Sequence, residues 1–317
     1  MDFKEAAQAL EKARHVTIVG HLNPDADTLG TGLGLWWVLK ALGKRVDIYN
    51  ASEPLPQVLS FLPGFGKIRR IFPQNSDTVV AVDCGSFDRL GIDEREGLRI
   101  VNIDHHRSNT AYGDINLVDP GAPCAAEVAF RLCREAGWEV PAQSAANFYT
   151  ALVSDTGFFG YEGVDENVFA FAKTLVVLGA DPEWTARMLR ENQPLCKLRL
   201  LPKVLETLTL YLGGRVAGLD VTRQMLRETG ASVNETEDFV NYARSLATVE
   251  VGFLMREEPD GSLKVSLRSK QRVDVSLIAL DFGGGGHKRA AGFSVKELSR
   301  DTILTRLLSK IEKELER

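Results

Sequence analysis

Arg99-Ile100-Val101-Asn102-Ile103-Asp104-His105-His106 is the stretch whose reading decides the fold. Its apolar, β-branched run reads as a short buried strand. The run ends abruptly in a carboxylate and two imidazoles, and Arg107-Ser108-Asn109 continues as a polar loop. Side chains alternate along an extended backbone, so Asp104 and His106 are expected on one face and His105 on the other. One imidazole would then bind a metal while its neighbours face a substrate or support the ligand. A His pair after a strand is also a common polar loop, so the triplet acquires meaning only from what lies around it.

Outward from that stretch, apolar runs at 16–19, 45–49 and 78–82 read as further buried strands. A helical pattern occupies 3–14. Thr28 to Leu42 reads as a helix of small and apolar residues closed by Gly43, which completes a βαβ unit with the strands on either side. Helical periodicity recurs over about 122–136, 143–154, 166–178 and 183–191. The expected fold class is therefore α/β, with a parallel sheet and flanking helices.

The strand ends share a chemistry. His21, Asp25 and Asp27 follow the first strand, Asp83 the third, and Asp104-His105-His106 the fourth. A further acidic turn, Ser154-Asp155-Thr156-Gly157, follows a helical stretch. Open parallel sheets bind ligands outside the carboxyl ends of their strands, so these segments should meet at one edge. Taken singly, each has a plain reading: Asp27 as a helix N-cap, Asp83 and Asp155 as turn residues before Gly85 and Gly157. Their recurrence is what those readings leave unexplained. Carboxylate plus imidazole suits Mn²⁺, with Mg²⁺, Co²⁺ or Fe²⁺ as alternatives, and the lack of thiolate argues against structural zinc. The donors His21, Asp25, Asp27, Asp83, His105 and Asp155 exceed what one ion needs. They point to two divalent ions about 3.5–4 Å apart, bridged by one carboxylate and a water, and to phosphoester hydrolysis.

A chain of 317 residues exceeds a comfortable single core, which predicts two domains. The net charge of −5 argues against a broad basic surface for long duplex nucleic acid, but leaves room for a small basic cleft. No apolar run reaches the ~20 residues of a membrane helix. Met1-Asp2-Phe3-Lys4-Glu5 is charged, unlike a signal peptide. Cys84, Cys124, Cys133 and Cys196 form no CxxC pair, so reduced thiols in the cytoplasm are expected.

After about Glu191 the character of the sequence changes. A linking helix is expected at 194–211, a strand at 215–220, helices at 222–229 and 237–246, and strands at 249–255 and 263–267. The expected organisation is a catalytic domain over 1–191, a linker helix over 192–212 and a substrate domain over 213–317. Arg268-Ser269-Lys270 and the run Gly283-Gly284-Gly285-Gly286-His287-Lys288-Arg289 read together as a phosphate or nucleotide clamp, a loop entering a helix. A flexible surface turn is the alternative for a bare glycine run.

These segments resemble, in order and spacing, the four motifs of the DHH phosphoesterase superfamily. The usual first motif, His-x-x-Pro-Asp-x-Asp followed by Gly-Ser, stands here as His21…Pro24-Asp25-Ala26-Asp27…Gly30-Thr31. Ala26 stands where Gly is common and Thr31 where Ser is common. The resemblance implies that His21 and Asp25 hold one metal and that Asp27, His105 and Asp155 hold the other, with Asp83 bridging. It implies that Asp104 orients the His pair and that His106 serves as a phosphate ligand or acid. The glycine run resembles the Gly-Gly-Gly-His segment of the DHHA1 domain. That resemblance implies a smaller α/β domain that binds substrate through Arg268, Ser269, Gly284, Gly285, Gly286, His287 and Arg289, with the active site in an interdomain cleft.

A DHH–DHHA1 chain of this length is most similar to the bifunctional oligoribonuclease and pAp phosphatase (NrnA-type) group. The implied substrates are short RNA oligonucleotides (nanoRNA), pApA-type dinucleotides and pAp. The implied context is a cytoplasmic homodimer that engages neither long duplex nucleic acid nor membrane. Three other readings share the same residues: a soluble phosphodiesterase for cyclic-di-AMP or its linear dinucleotide product, a single-strand DNA exonuclease, and a nucleotide sensor without turnover. Elsewhere His15 is expected at the surface, Trp36-Trp37 in core packing, and the Cys84 side chain away from the metals. The pattern over 303–315 is expected to form an amphipathic closing helix.

Overall fold

The structure, a computed structural model, describes residues 1–93 and 97–316, the side chain of Glu237 excepted. The chain forms two compact units, Met1–Asn192 and Gln193–Arg317.

The first unit carries strands β1 (Val16–Gly20), β2 (Val46–Tyr49), β3 (Ile68–Arg69), β4 (Thr78–Val82), β5 (Arg99–Asp104) and β6 (Ile115–Val118). Its helices are α1 (Phe3–Lys12), α2 (Ala26–Ala41), α3 (Ala125–Glu135), α4 (Ala142–Asp155), α5 (Glu166–Val177) and α6 (Pro182–Glu191). The six strands form one parallel sheet in the order β3-β2-β1-β4-β5-β6. Every residue of β1 and β4 is buried, as expected for inner strands of a covered parallel sheet. The strand order reverses between β1 and β4, which both continue into the acidic turns that follow them. A crevice at that switch point is where such sheets bind ligands.

Helix α2 is buried on nearly all sides from Ala26 to Leu39, so its sequence carries small and apolar residues all round. Gly34 lets α4 approach closely: a Cβ at Gly34 would lie 2.2 Å from Cε1 of Phe148, which is fully buried. Ser144 Oγ donates to Gly34 O at 2.8 Å and fixes the same crossing. This packing carries Asp27, at the start of α2, and Asp155, the last residue of α4, to one end of the helix pair. Trp36 and Trp37 lie at core positions and donate through Nε1 to Val46 O and Pro63 O.

Two expectations for this unit need correction. His15 is buried, 3% exposed, because Asp47 on β2 accepts from its Nε2 at 2.8 Å. The helix after the first motif begins at Ala26, with Asp25 as its N-cap, so Asp27 is not the cap.

The second unit contains α7 (Leu195–Leu205), β7 (Thr209–Tyr211), β8 (Val216–Val221), α8 (Arg223–Thr229), α9 (Val240–Ser245), β9 (Val251–Glu257), β10 (Leu263–Ser269), α10 (Val275–Leu280), β11 (Gly285–His287), β12 (Ala290–Val295) and α11 (Arg300–Leu315). Its sheet runs β11-β12-β10-β9-β8-β7; β8 and β9 are parallel and the other pairs antiparallel. The stretch expected as one helix over 194–211 stops at Leu205, because Thr209–Tyr211 pairs with β8 as an edge strand. Leu200 and Val204 of α7 are buried among Ala217, Leu219 and Val240, which builds that helix into the second unit. The helix expected at 237–246 opens as a 3₁₀ turn over Val233–Phe239 before α9. The glycine run is not a loop entering a helix: Gly285–His287 forms the edge strand of a hairpin with β12.

Replacing Gly34 by Ala should lower stability by about 1–3 kcal/mol, the usual cost of overpacking. That loss should appear despite the ~1 kcal/mol Ala gains over Gly inside a helix. Urea unfolding of the first unit's transition measures it, and an unchanged or raised midpoint would contradict the packing described.

Candidate metal centre

The acidic segments converge as the sheet topology requires. His21 follows β1, Asp83 follows β4, Asp104 ends β5, and His105 and His106 follow directly. Asp83 adopts a left-handed backbone, φ 52°, and donates its N–H to Ile103 O at 2.9 Å. Such a conformation is uncommon outside glycine, although Asp tolerates it better than most residues. It turns the carboxylate across the strand ends.

Asp83 offers one oxygen to each side. Its Oδ2 lies 3.6 Å from His21 Nε2 and accepts from Thr28 Oγ1 at 2.7 Å. Its Oδ1 lies 3.7 Å from His105 Nε2 and 3.6 Å from His106 Nδ1. Two of the donor groups that result are His21, Asp25 and Asp83, and Asp27, His105 and Asp155. Within each group the donor atoms lie within 4.8 Å of one another, close enough to share one ion.

The imidazoles are held by their far nitrogens. His21 Nδ1 donates to Leu22 O at 2.8 Å, and His105 Nδ1 donates to Ala122 O at 3.2 Å. A carbonyl can only accept, so each ring presents Nε2 to the carboxylates, the arrangement that fixes a metal-ligating tautomer. Asp104 is fully buried, and its Oδ1 accepts from the amides of His105 and His106 and from His106 Nδ1 at 2.7 Å. The expected separation of the two imidazoles by strand alternation does not occur. The strand ends at Asp104, and both rings reach Asp83 with centroids 5.0 Å apart.

Asp27 is buried, 2% exposed, and its oxygens accept from Thr31 Oγ1 and from the amides of Ala125 and Ala126. It thus caps α3, whose own N-cap residue Cys124 offers no side-chain cap. Asp155 is the last residue of α4, not part of a turn after it, and lies 3.5 Å from His105 Nε2. The Cys84 thiol points away from the cluster, donating to Ser86 O, and burial pushes it up to about 11, which leaves it unreactive.

Charge is tightly coupled across the cluster. Burial opposes charging of His21, but the adjoining Asp83 and Asp25 outweigh it and hold the ring's proton to about 9. His105 is likewise held at about 9 against burial by Asp27, Asp155 and Asp83. Asp83 is buried too, yet His21 and the paired histidines pull it well below the usual carboxylate range. Burial and the neighbouring carboxylates push Asp27 well up, and Asp155 up to about 7. Crowded carboxylates that need protonated imidazoles for balance are a fitting donor set for a divalent cation, which supplies more charge at shorter range.

Sequence reasoning did not find Thr28 or Asn109. Thr28 Oγ1 touches His21, Asp25 and Asp83. Asn109 donates to Asp104 Oδ2 at 2.5 Å and to Cys84 O at 3.2 Å, tying the β4 and β5 turns together. A lone Thr inside a helix and a lone Asn in a loop carry no signal of their own. The position of Thr28, one turn after a capping Asp, was the available clue. The clamp residues expected in the second half lie in the second unit. Arg268 and His287 both pair with Ala290, on β10 and β11, so their side chains share one face of the sheet.

Comparison with known proteins gives the class. Residues 15–154 match the profile of the DHH family, N-terminal domain, and residues 214–316 that of the DHHA1 domain. The chain belongs to the DHH family of phosphoesterases, enzymes that use divalent metals. Among its relatives, the bifunctional oligoribonuclease and PAP phosphatase NrnA of Thermus thermophilus is 34% identical over 307 residues, covering 95% of this chain and 90% of that protein. The Bacillus subtilis protein of the same name is 25% identical, with 87% of each chain covered. An exopolyphosphatase-related protein from Bacteroides fragilis has the same fold, with a TM-score of 0.90 at 24% identity over 99% of this chain and 97% of the other.

Metal uptake should release protons, because coordination needs neutral imidazoles and His21 and His105 hold theirs to about 9. The apparent affinity should therefore rise with pH and level off above about 9. Calorimetric titration with Mn²⁺ in buffers of different ionisation enthalpy measures this. At neutral pH the heats should report protons released by both imidazoles, with Asp27 and Asp155 adding to them, and buffer-independent heats would contradict the assignment.

Proposed function

We propose that this chain is a two-metal phosphoesterase that degrades short oligoribonucleotides, including pApA-type dinucleotides, to mononucleotides and dephosphorylates pAp to AMP. The observation that carries the reading is Asp83, with one carboxylate oxygen facing each donor group. The high-coverage relationship to a named oligoribonuclease and PAP phosphatase supports the substrate class. The oxygen and nitrogen donors favour Mn²⁺, in line with the absence of thiolate from both groups.

In this reading His21 and Asp25 hold one ion, Asp27, His105 and Asp155 hold the other, and Asp83 is shared. Divalent ions bound there would lower the pKa of an attacking water and offset charge on the phosphoryl oxygens. Asp104 fixes His106 through Nδ1, so the imidazole is oriented to bind the scissile phosphate or to protonate the leaving oxygen. Arg268, Ser269, Gly284 to Gly286, His287 and Arg289 bind the remainder of the substrate. A clamp of a few cationic groups suits few phosphates, which agrees with the net charge of −5. The assigned setting is a cytoplasmic homodimer; among the described residues, no helix is long and apolar enough to cross a membrane.

Turnover of a 5′-phosphorylated RNA dinucleotide, a long RNA strand, pAp and cyclic-di-AMP, compared on one Mn²⁺-loaded preparation, tests this. The dinucleotide and pAp should be consumed fast while the long strand stays nearly inert. Asp83→Ala should abolish that turnover by more than the ~10–100-fold typical of losing a ligand's supporting partner. Rapid attack on the long strand would make the protein a processive nuclease, and preference for the cyclic dinucleotide would make it a signalling phosphodiesterase.

A further inference from the structure

Thr28 has a position that its sequence context does not announce. It lies in the first turn of α2 and is 1% exposed. Its Oγ1 lies 2.7 Å from His21 Nε2, 2.7 Å from Asp83 Oδ2 and 3.1 Å from Asp25 Oδ1. These are the three donors of one proposed ion site. Its backbone N–H also donates to Asp25 Oδ1 at 3.0 Å.

The side chain cannot easily turn away. A Cβ placed on Gly20 would lie 2.2 Å from Thr28 Cγ2, so the methyl fills the space that glycine leaves above β1. With the methyl seated there, the hydroxyl faces the donors. A hydroxyl has one proton to give and two lone pairs to receive. Oγ1 lies within hydrogen-bond distance of all three donors at once and is nearest to His21 Nε2 and Asp83 Oδ2. His21 Nε2 and Asp83 Oδ2 are themselves 3.6 Å apart, too far for a direct hydrogen bond. The hydroxyl is therefore the link between them. The other donor group is built differently: the Thr31 hydroxyl bonds Asp27, one of its three members.

We propose that Thr28 is a positioning residue that holds His21, Asp25 and Asp83 ready for one of the two ions, so that its hydroxyl sets the affinity of that ion selectively. The proposal rests on the two-metal reading given above. Polar groups that orient metal ligands typically contribute 10–100-fold in metal affinity, which sets the expected scale at roughly that range.

The test is calorimetric titration of the metal-free full chain with Mn²⁺, with the spin–spin coupling of adjacent Mn²⁺ ions followed by electron paramagnetic resonance. Thr28→Val keeps the shape and removes the hydroxyl. Thr28→Ser and Thr28→Ala both lose the methyl and differ from each other only in the hydroxyl. Wild type should bind in two steps. T28V and T28A should weaken one step by roughly 10–100-fold and leave the other within about threefold, while T28S stays near wild type. The coupled signal should appear in T28V only at higher Mn²⁺ than in wild type. T28V or T28A binding both ions as tightly as wild type would overturn the proposal, as would T28S and T28A being equally impaired, which would assign the role to the methyl. If T28V does not fold, the T28S and T28A pair decides the question alone. Failure of wild type to bind two ions would instead overturn the two-metal reading, and that result is distinct from either.

Discussion

The arrangement depends on keeping several carboxylates together with little water between them. Two unit charges 4 Å apart interact by about 4 kcal/mol at an effective dielectric of 20, so the cluster must be balanced locally. Asp27 takes two amides and a hydroxyl, Asp104 takes two amides, an imidazole and the Asn109 amide, and Asp83 takes a hydroxyl and lies among three imidazoles. Asp155 has the poorest position. It ends α4, where the helix presents partial negative charge, and its carboxyl is pushed up to about 7. Asp155 is thus the donor that most needs a cation, because the end of its own helix offers it no dipole of favourable sign.

The scaffold explains how such a cluster survives in a folded chain. The inner strands are buried from end to end, so each acidic turn begins where the sheet ends. The two helices that carry Asp27 and Asp155 cross at a glycine, so their ends approach without filling the crevice with side chains. Rigid elements therefore set the spacing, and the left-handed turn at Asp83 sets the direction. Strain at that residue is stored at the centre of the site, where the surrounding ladder and hydrogen bonds hold it in place.

Much of this was legible because buried parallel strands and their polar ends contrast sharply in sequence. The strands at 16–20, 46–49, 78–82 and 99–104 and the long helices were readable as apolar runs and periodicities. The donors were readable because His and Asp recur where such runs stop. What escaped was of two kinds. Short edge elements such as β6, β7 and β11 have too few residues to show a period, and their pairing is decided by neighbours distant in sequence. Supporting residues escaped because their role is defined only by what they touch: Thr28 against three donors, Asn109 between two turns, His15 against Asp47. Alternation misplaced His105 relative to His106 because the rule holds only while the backbone stays extended, and β5 stops one residue earlier.

The glycine run shows why composition alone under-determines function. A Cβ on Gly284 would lie 2.2 Å from Gly292 O, and one on Gly286, whose φ is 141°, would lie 2.5 Å from Ala290 O. The hairpin against β12 thus requires glycine at these positions before any ligand is considered. Backbone packing already accounts for these two glycines. The side chains the hairpin displays are the more informative feature. By bringing β11 and β10 to either side of β12, it sets His287 and Arg268 across Ala290 on one face of the sheet. A small residue thus separates an imidazole and a guanidinium along one row of the sheet. That arrangement, more than the flexibility the glycines suggest, is the feature on which the proposed substrate-binding role of this hairpin rests.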